Sequence, residues 1–120
     1  MLTKEQFDRL KPFLVRKHAR QRIVLYLLAT SHTIQEVCGF TYADLKALDL
    51  NNELNSYRDE VINMAKYNET YSVNGKVFVY PGGIEFKPQD IYRIIRQATM
   101  TALGSSLGID AFIKLIKKGE

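Results

Sequence analysis

A chain of 120 residues with 46% hydrophobic and 25% charged residues has the length and make-up of one globular domain with a real core. It holds no apolar run near bilayer-spanning length, and Met1-Leu2-Thr3-Lys4-Glu5 lacks the apolar centre of a signal peptide, so a cytoplasmic protein is expected. One cysteine excludes an internal disulfide and a cysteine-based zinc cluster, and two histidines leave little for a metal, so no cofactor is expected; seventeen basic against thirteen acidic residues (net charge +4) admit a nucleic-acid partner without requiring one.

Residues 3–11 open with Thr3 and, three positions later, Gln6, the spacing of a helix cap. Phe7 and Leu10 make this helix amphipathic, and Lys11-Pro12 ends it or kinks it into the next. A main helix is expected over residues 13–29. Its first half carries Arg16, Lys17, His18, Arg20 and Arg22, which read either as a solvated face or as a patch turned to phosphates. Its second half, residues 23–29, is apolar throughout, so that part should be buried on nearly all sides. A strand is the alternative for so short a run, but no Gly or Pro interrupts the helical reading back through Arg16-Lys17-His18-Ala19.

A polar break follows at Thr30-Ser31-His32-Thr33. Thr33 with Glu36, and Thr41 with Asp44, are two capping-box spacings in close succession, and they predict a layered helical corner. Cys38 lies in the apolar pattern between Val37 and Gly39 and reads as a buried thiol. The stretch resembles the first block of the tyrosine recombinase (phage integrase) catalytic domain, roughly L-L-x-A-T-G-x-R-x-x-E-L-x-x-L-T-W-x-D-[IL]. Leu27-Leu28-Ala29-Thr30 match its start, Glu36-Val37 its middle and Phe40-Thr41-Tyr42-Ala43-Asp44-Leu45 its end, without gaps. The family's Gly falls on Ser31 and its first catalytic Arg on Thr33. A threonine hydroxyl is one neutral donor where the reaction needs fixed positive charge on a phosphate, so this departure implies a scaffold without its first catalytic group.

Beyond the Asn51-Asn52 loop, Leu54, Tyr57, Val61, Met64 and Ala65 recur at helical spacing over residues 53–67, where the family usually enters strands. Residues 70–80 change period and predict a β-hairpin with Asn74-Gly75 at its tip, stopped by Pro81-Gly82-Gly83. The family carries a catalytic lysine in such a hairpin. Lys76 is the nearest match, and a solubilising edge-strand lysine is the plainer reading. Residues 84–86 make a short extended piece. A helix over 88–103 starts with Pro88 at its first position and Asp90 in its first turn. Ile91, Ile94, Ile95, Ala98 and Ala102 form one stripe, with Gln89, Arg93, Arg96 and Met100 opposite and Gln97 beside them. Residues 87–104 also resemble, more weakly, a recombinase helix that packs into the DNA major groove. The Gly104-to-Gly108 loop lacks the strand, helix and lysine of a phosphate loop. A last short helix turns Ile109, Phe112, Ile113 and Ile116 inward and Lys114, Lys117 and Lys118 outward.

The expected fold is mainly α with one small β-hairpin, a single helical domain like the N-terminal half of a recombinase catalytic domain. A working recombinase continues with His-x-x-Arg and a nucleophilic Tyr, whereas no His follows His32 and no Tyr follows Tyr92. The resemblance therefore implies a non-catalytic, DNA-binding regulator of a phage or mobile element. The residues expected to meet DNA are Gln89, Arg93 and Arg96, with Lys87, Lys76, Arg20 and Arg22. The alternative is a protein-interaction module that docks on a larger recombinase-like repressor or integrase through surface the missing half would cover.

Overall fold

The apolar run at residues 23–29 sets the architecture. In the computed structural model, which describes residues 1–67, 75–80 and 84–118, all seven of these side chains are buried. They belong to α2 (Ala19–Ala29), and a helix apolar on every side needs neighbours on every side. Those neighbours are α1 (Lys4–Leu14), α3 (Ile34–Cys38), α5 (Asn52–Tyr67), α6 (Pro88–Leu103) and α7 (Ile109–Ile116), all packed against it. The remaining helix, α4 (Tyr42–Ala47), packs on α5 instead. Tyr26 is the one polar-tipped residue in the run, and its hydroxyl donates to the Asp49 carbonyl at 3.1 Å. Burial otherwise pushes that phenol's pKa up.

The helix starts follow the sequence closely. Thr3 and Gln6 close a capping box on α1, Thr33 and Glu36 on α3, and Thr41 and Asp44 on α4. In the α4 box the Asp44 amide donates to the Thr41 hydroxyl at 3.2 Å and the Thr41 amide donates to the Asp44 carboxylate at 3.0 Å. Two boxes in such close succession along the chain give the tight corner that the spacing predicts. The helix expected over residues 53–67 is present as α5, with Leu54 and Val61 in the core.

The expected single helix over 13–29 is instead divided. α1 runs through Pro12 to Leu14, because Pro12 forfeits one amide bond close to the helix end while Phe13 and Leu14 on its far side are buried. Phe13 meets Phe112 of α7 edge to face at 5.1 Å. The chain then breaks, with Arg16 in the left-handed region at φ 63° and His18 extended at the start of α2. Arg16, Lys17 and His18 offer the core no apolar side chain, so nothing holds a helix together through them.

The hairpin expected over residues 70–80 falls only partly within the described residues. Residues 70–73 and Asn74 lie outside the described residues. Gly75 has φ 71°, as a left-handed turn requires, and the arm after it meets two other stretches of the chain. Lys76 bridges Thr41 and Val79 bridges Glu85, both antiparallel, and among the described residues these are isolated bridges rather than strands. The Val77 amide donates to the Phe40 carbonyl and the Phe86 amide to the Phe78 carbonyl, each at 2.9 Å. The reason is visible in burial: Val77, Phe78 and Val79 are all inside, so this is not an edge strand with one wet face. The described fold is therefore a helical bundle with one extended strap, residues 75–80 and 84–86, laid across the α3–α4 corner.

α6 matches its expected bounds, Pro88–Leu103, and ends on Gly104 at φ 79°, whose amide donates to the Met100 carbonyl at 2.9 Å. α7 buries Phe112 and Ile116, and the Arg9 guanidinium donates to the carbonyl of Ile116 at 2.7 Å.

The capping carboxylates give a pH prediction. Backbone amides at Thr33 and Thr41 hold the Glu36 and Asp44 carboxyls below their ordinary pKa. A depressed folded-state pKa adds stability that is present above the unfolded value and lost as pH falls through the folded one. Chemical denaturation should therefore show stability falling through and below the ordinary carboxylate range. Asp44→Asn, which keeps an acceptor but cannot titrate, should flatten that fall. An identical acid profile in the variant would remove Asp44 from the account.

Candidate nucleic-acid interface

α6 separates its two faces as the stripe geometry requires. Ile91, Ile94, Ile95 and Ala98 are buried, Ala102 is half-buried against the core, and Gln89, Arg93, Arg96, Gln97 and Met100 are exposed. Lys87 caps the start of the helix and is exposed as well. The two arginines are not equivalent. The Arg93 guanidinium donates to the Asp90 carboxylate at 2.6 Å, whereas Arg96 has no carboxylate partner among the described residues.

Asp90 is the node at this end of α6. It is only 7% exposed, yet it takes three donors: the Lys87 amide at 2.7 Å, the Tyr80 hydroxyl at 2.9 Å and Arg93. Charge-assisted bonds of this kind are the strong ones, and they tie the strap to the first turn of α6. Burial, and then the Asp90 carboxylate, push the Tyr80 hydroxyl's pKa up, so it stays a neutral donor. The sequence marked Asp90 only as a charge favourable to the helix start. Its spacing from Lys87 carried the cap, but nothing local could show Tyr80 arriving from the strap.

The basic residues at the start of α2 have different fates. Arg20 is buried, and its guanidinium donates to the Val77 carbonyl at 3.0 Å and the Tyr42 hydroxyl at 3.3 Å. It holds the strap to α2, a use within the fold that the sequence did not foresee, while the residue also borders the cleft at the start of α2. Lys76 is paired with Glu85 at 3.1 Å across the strap, so its charge is largely matched. Arg22 lies over the Tyr57 ring at 4.2 Å, and its Nε is shut from solvent with no acceptor. Lys17 and Arg22 both line an open cleft of about 600 Å³ between the start of α2, α5 and the strap. Tyr57, Tyr80 and Phe86 form its aromatic walls. Tyr80 thus joins the two basic regions, with its ring in the cleft and its hydroxyl on α6. Neither Tyr57 nor Tyr80 is given a binding role by the sequence, because aromatic residues at helical or strand spacing read first as core.

Among the described residues no group of His, Cys, Asp and Glu side chains is arranged to hold a metal, and no helix is long and apolar enough to cross a membrane. Cys38 is half-buried, and burial pushes its thiol's pKa up. Compared with known proteins, the chain matches no family model, no characterised protein and no solved structure.

The assignment of Arg20 to the fold is open to a direct check. Arg20→Met keeps the stem and removes the donors, leaving the Val77 carbonyl without this partner. It should destabilise the protein by about 1–3 kcal/mol in urea denaturation. An unchanged midpoint would return Arg20 to the surface set.

Proposed function

We propose that the protein is a non-catalytic, nucleic-acid-binding regulator, built on a recombinase-like scaffold of the kind used by phages and mobile elements. The observation that carries this reading is the outer face of α6, where Gln89, Arg96 and Gln97 stand clear of the core with Lys87 and Arg93 at the same end. Arginine and glutamine are the side chains suited to purine edges, and arginine and lysine to phosphates. A net charge of +4 favours the approach of a polyanion. The scaffold part of the reading rests on the gapless pattern from Leu27 to Leu45, whose corner is built from the two threonine caps. The non-catalytic part rests on Thr33. At the position of the family's first arginine its hydroxyl accepts the Glu36 amide at 3.1 Å, so it serves as a helix cap.

One observation favours the second reading, a protein-interaction module that modulates a larger recombinase-like partner. Tyr92, Met100 and Leu103 on α6 are 46%, 50% and 48% exposed and lie along the same side as Arg96. An apolar stripe of that size on an exposed helix suits a protein surface as well as a groove.

The two readings separate on titration of fluorescent duplex DNA. Because Asp90 already draws on Arg93, Arg96→Ala should weaken binding more than Arg93→Ala. If Arg96 reads a base edge, its removal costs roughly 1–3 kcal/mol on the cognate site alone; if it neutralises a phosphate, its removal lowers the salt slope by about one on all sequences. Folding is checked by circular dichroism. If the parent binds no duplex at low salt, while Met100→Glu abolishes capture of a protein partner, the interaction module takes the place of DNA binding.

A further inference from the structure

We propose that the cleft between the start of α2, α5 and the strap binds a nucleoside phosphate through an unstacked base. This goes further than the α6 reading, and it rests on that reading only in taking nucleic acid as the partner class. The cleft, at about 600 Å³, lies in the range of small-ligand sites. Its walls are aromatic on two sides. Tyr57 stands on α5 with Arg22 over its ring at 4.2 Å, and Tyr80 and Phe86 on the strap lie against each other with centroids 4.5 Å apart and planes tilted by 34°. Such rings and a flat guanidinium offer a base the stacking surfaces that single-strand sites use. A base inside a duplex has both faces covered by its neighbours and cannot present one here.

The charge of the cleft fits the phosphate. Lys17 and Arg22 line it, and neither has a carboxylate partner among the described residues. The buried Nε of Arg22 lacks an acceptor, an unmet donor on a charged group that a phosphate oxygen satisfies by a small swing of the side chain. The first turn of α2 holds no acidic residue, so the positive end of the helix dipole and the nearby cations add with the same sign. Glu60 is the one carboxylate among the described lining residues, and a carboxylate there is suited to accept from an exocyclic amine or a sugar hydroxyl. Two sources share this chemistry: a free nucleotide, and an exposed base in a single strand.

The test uses the full chain, labelled with ¹⁵N and titrated with thymidine 5′-monophosphate and then with oligothymidylate. Amides of residues 17–22 and 57–61 are expected to shift with both. Tighter binding of the oligomer assigns the site to single strands, and equal binding per site assigns it to free nucleotide. By fluorescence anisotropy, Tyr57→Leu is expected to weaken the oligomer about tenfold or more, with Tyr57→Phe close to the parent. Lys17→Gln, a change outside the core, is expected to weaken it severalfold and to lower its salt dependence. Absence of shifts at residues 17–22 and 57–61 with either probe overturns the proposal, even where duplex DNA still binds through α6. Shifts in the cleft without any duplex binding instead uphold it and remove the α6 reading alone.

Discussion

Seven consecutive apolar side chains in one helix leave the protein a single way to keep them from water, which is to surround α2. Each fully buried side chain of this kind contributes roughly 1.5–3 kcal/mol, and no polar face is left over to rest in solvent. The other elements take their places from that demand. α1, α3, α5, α6 and α7 pack against α2, and the strap adds Val77 and Phe78 to the same core. Arg20 belongs to the same constraint. It sits just before the apolar run, and burial of its neighbours carries it inside, where the Val77 carbonyl and the Tyr42 hydroxyl receive it.

A core organised in this way sorts the cations. Arg20 is used within the fold, Arg9 holds the end of α7, and Lys76 is matched by Glu85. Arg96, Lys87, Lys17 and Arg22 are left without carboxylate partners among the described residues, and they gather in two places, the outer face of α6 and the cleft at the start of α2. Asp90 and Tyr80 link those places mechanically, since one carboxylate holds the first turn of α6, Arg93 and the strap together. Function is therefore proposed for the charges that the fold does not itself consume.

What is legible in the sequence follows the range of the interactions involved. Caps are made between residues three apart, so Thr3, Thr33 and Thr41 can be read directly, as can the bounds of α6 between Pro88 and Gly104. The buried stripe of α6 and its exposed opposite face come from periodicity alone. The break at residues 15–18 is not legible, because no Gly or Pro marks it; only the absence of anything for Arg16, Lys17 and His18 to bury explains it. The contacts of the strap are not legible for a related reason. Val77, Phe78 and Val79 show strand character, but their partners, Phe40 and Thr41 on one side and residues 84–86 on the other, depend on tertiary placement. For the candidate site, the exposed face of α6 is legible, whereas the use of Arg20 within the fold, the pairing of Lys76 and the cleft aromatics are not, since each depends on neighbours distant in sequence.

The central claim is that a buried α2 carries the fold while cations on its periphery carry the binding. Amide hydrogen exchange, followed residue by residue with and without duplex DNA, tests both halves together. Residues 23–29 should exchange slowest, through global unfolding only, and remain so in both samples. DNA should add protection in the first turns of α6 and around its exposed residues 89–97, where local opening is suppressed by the bound duplex. If α5 or α7 outlasts α2, or if DNA at low salt adds no protection on α6, the account is wrong in the corresponding half.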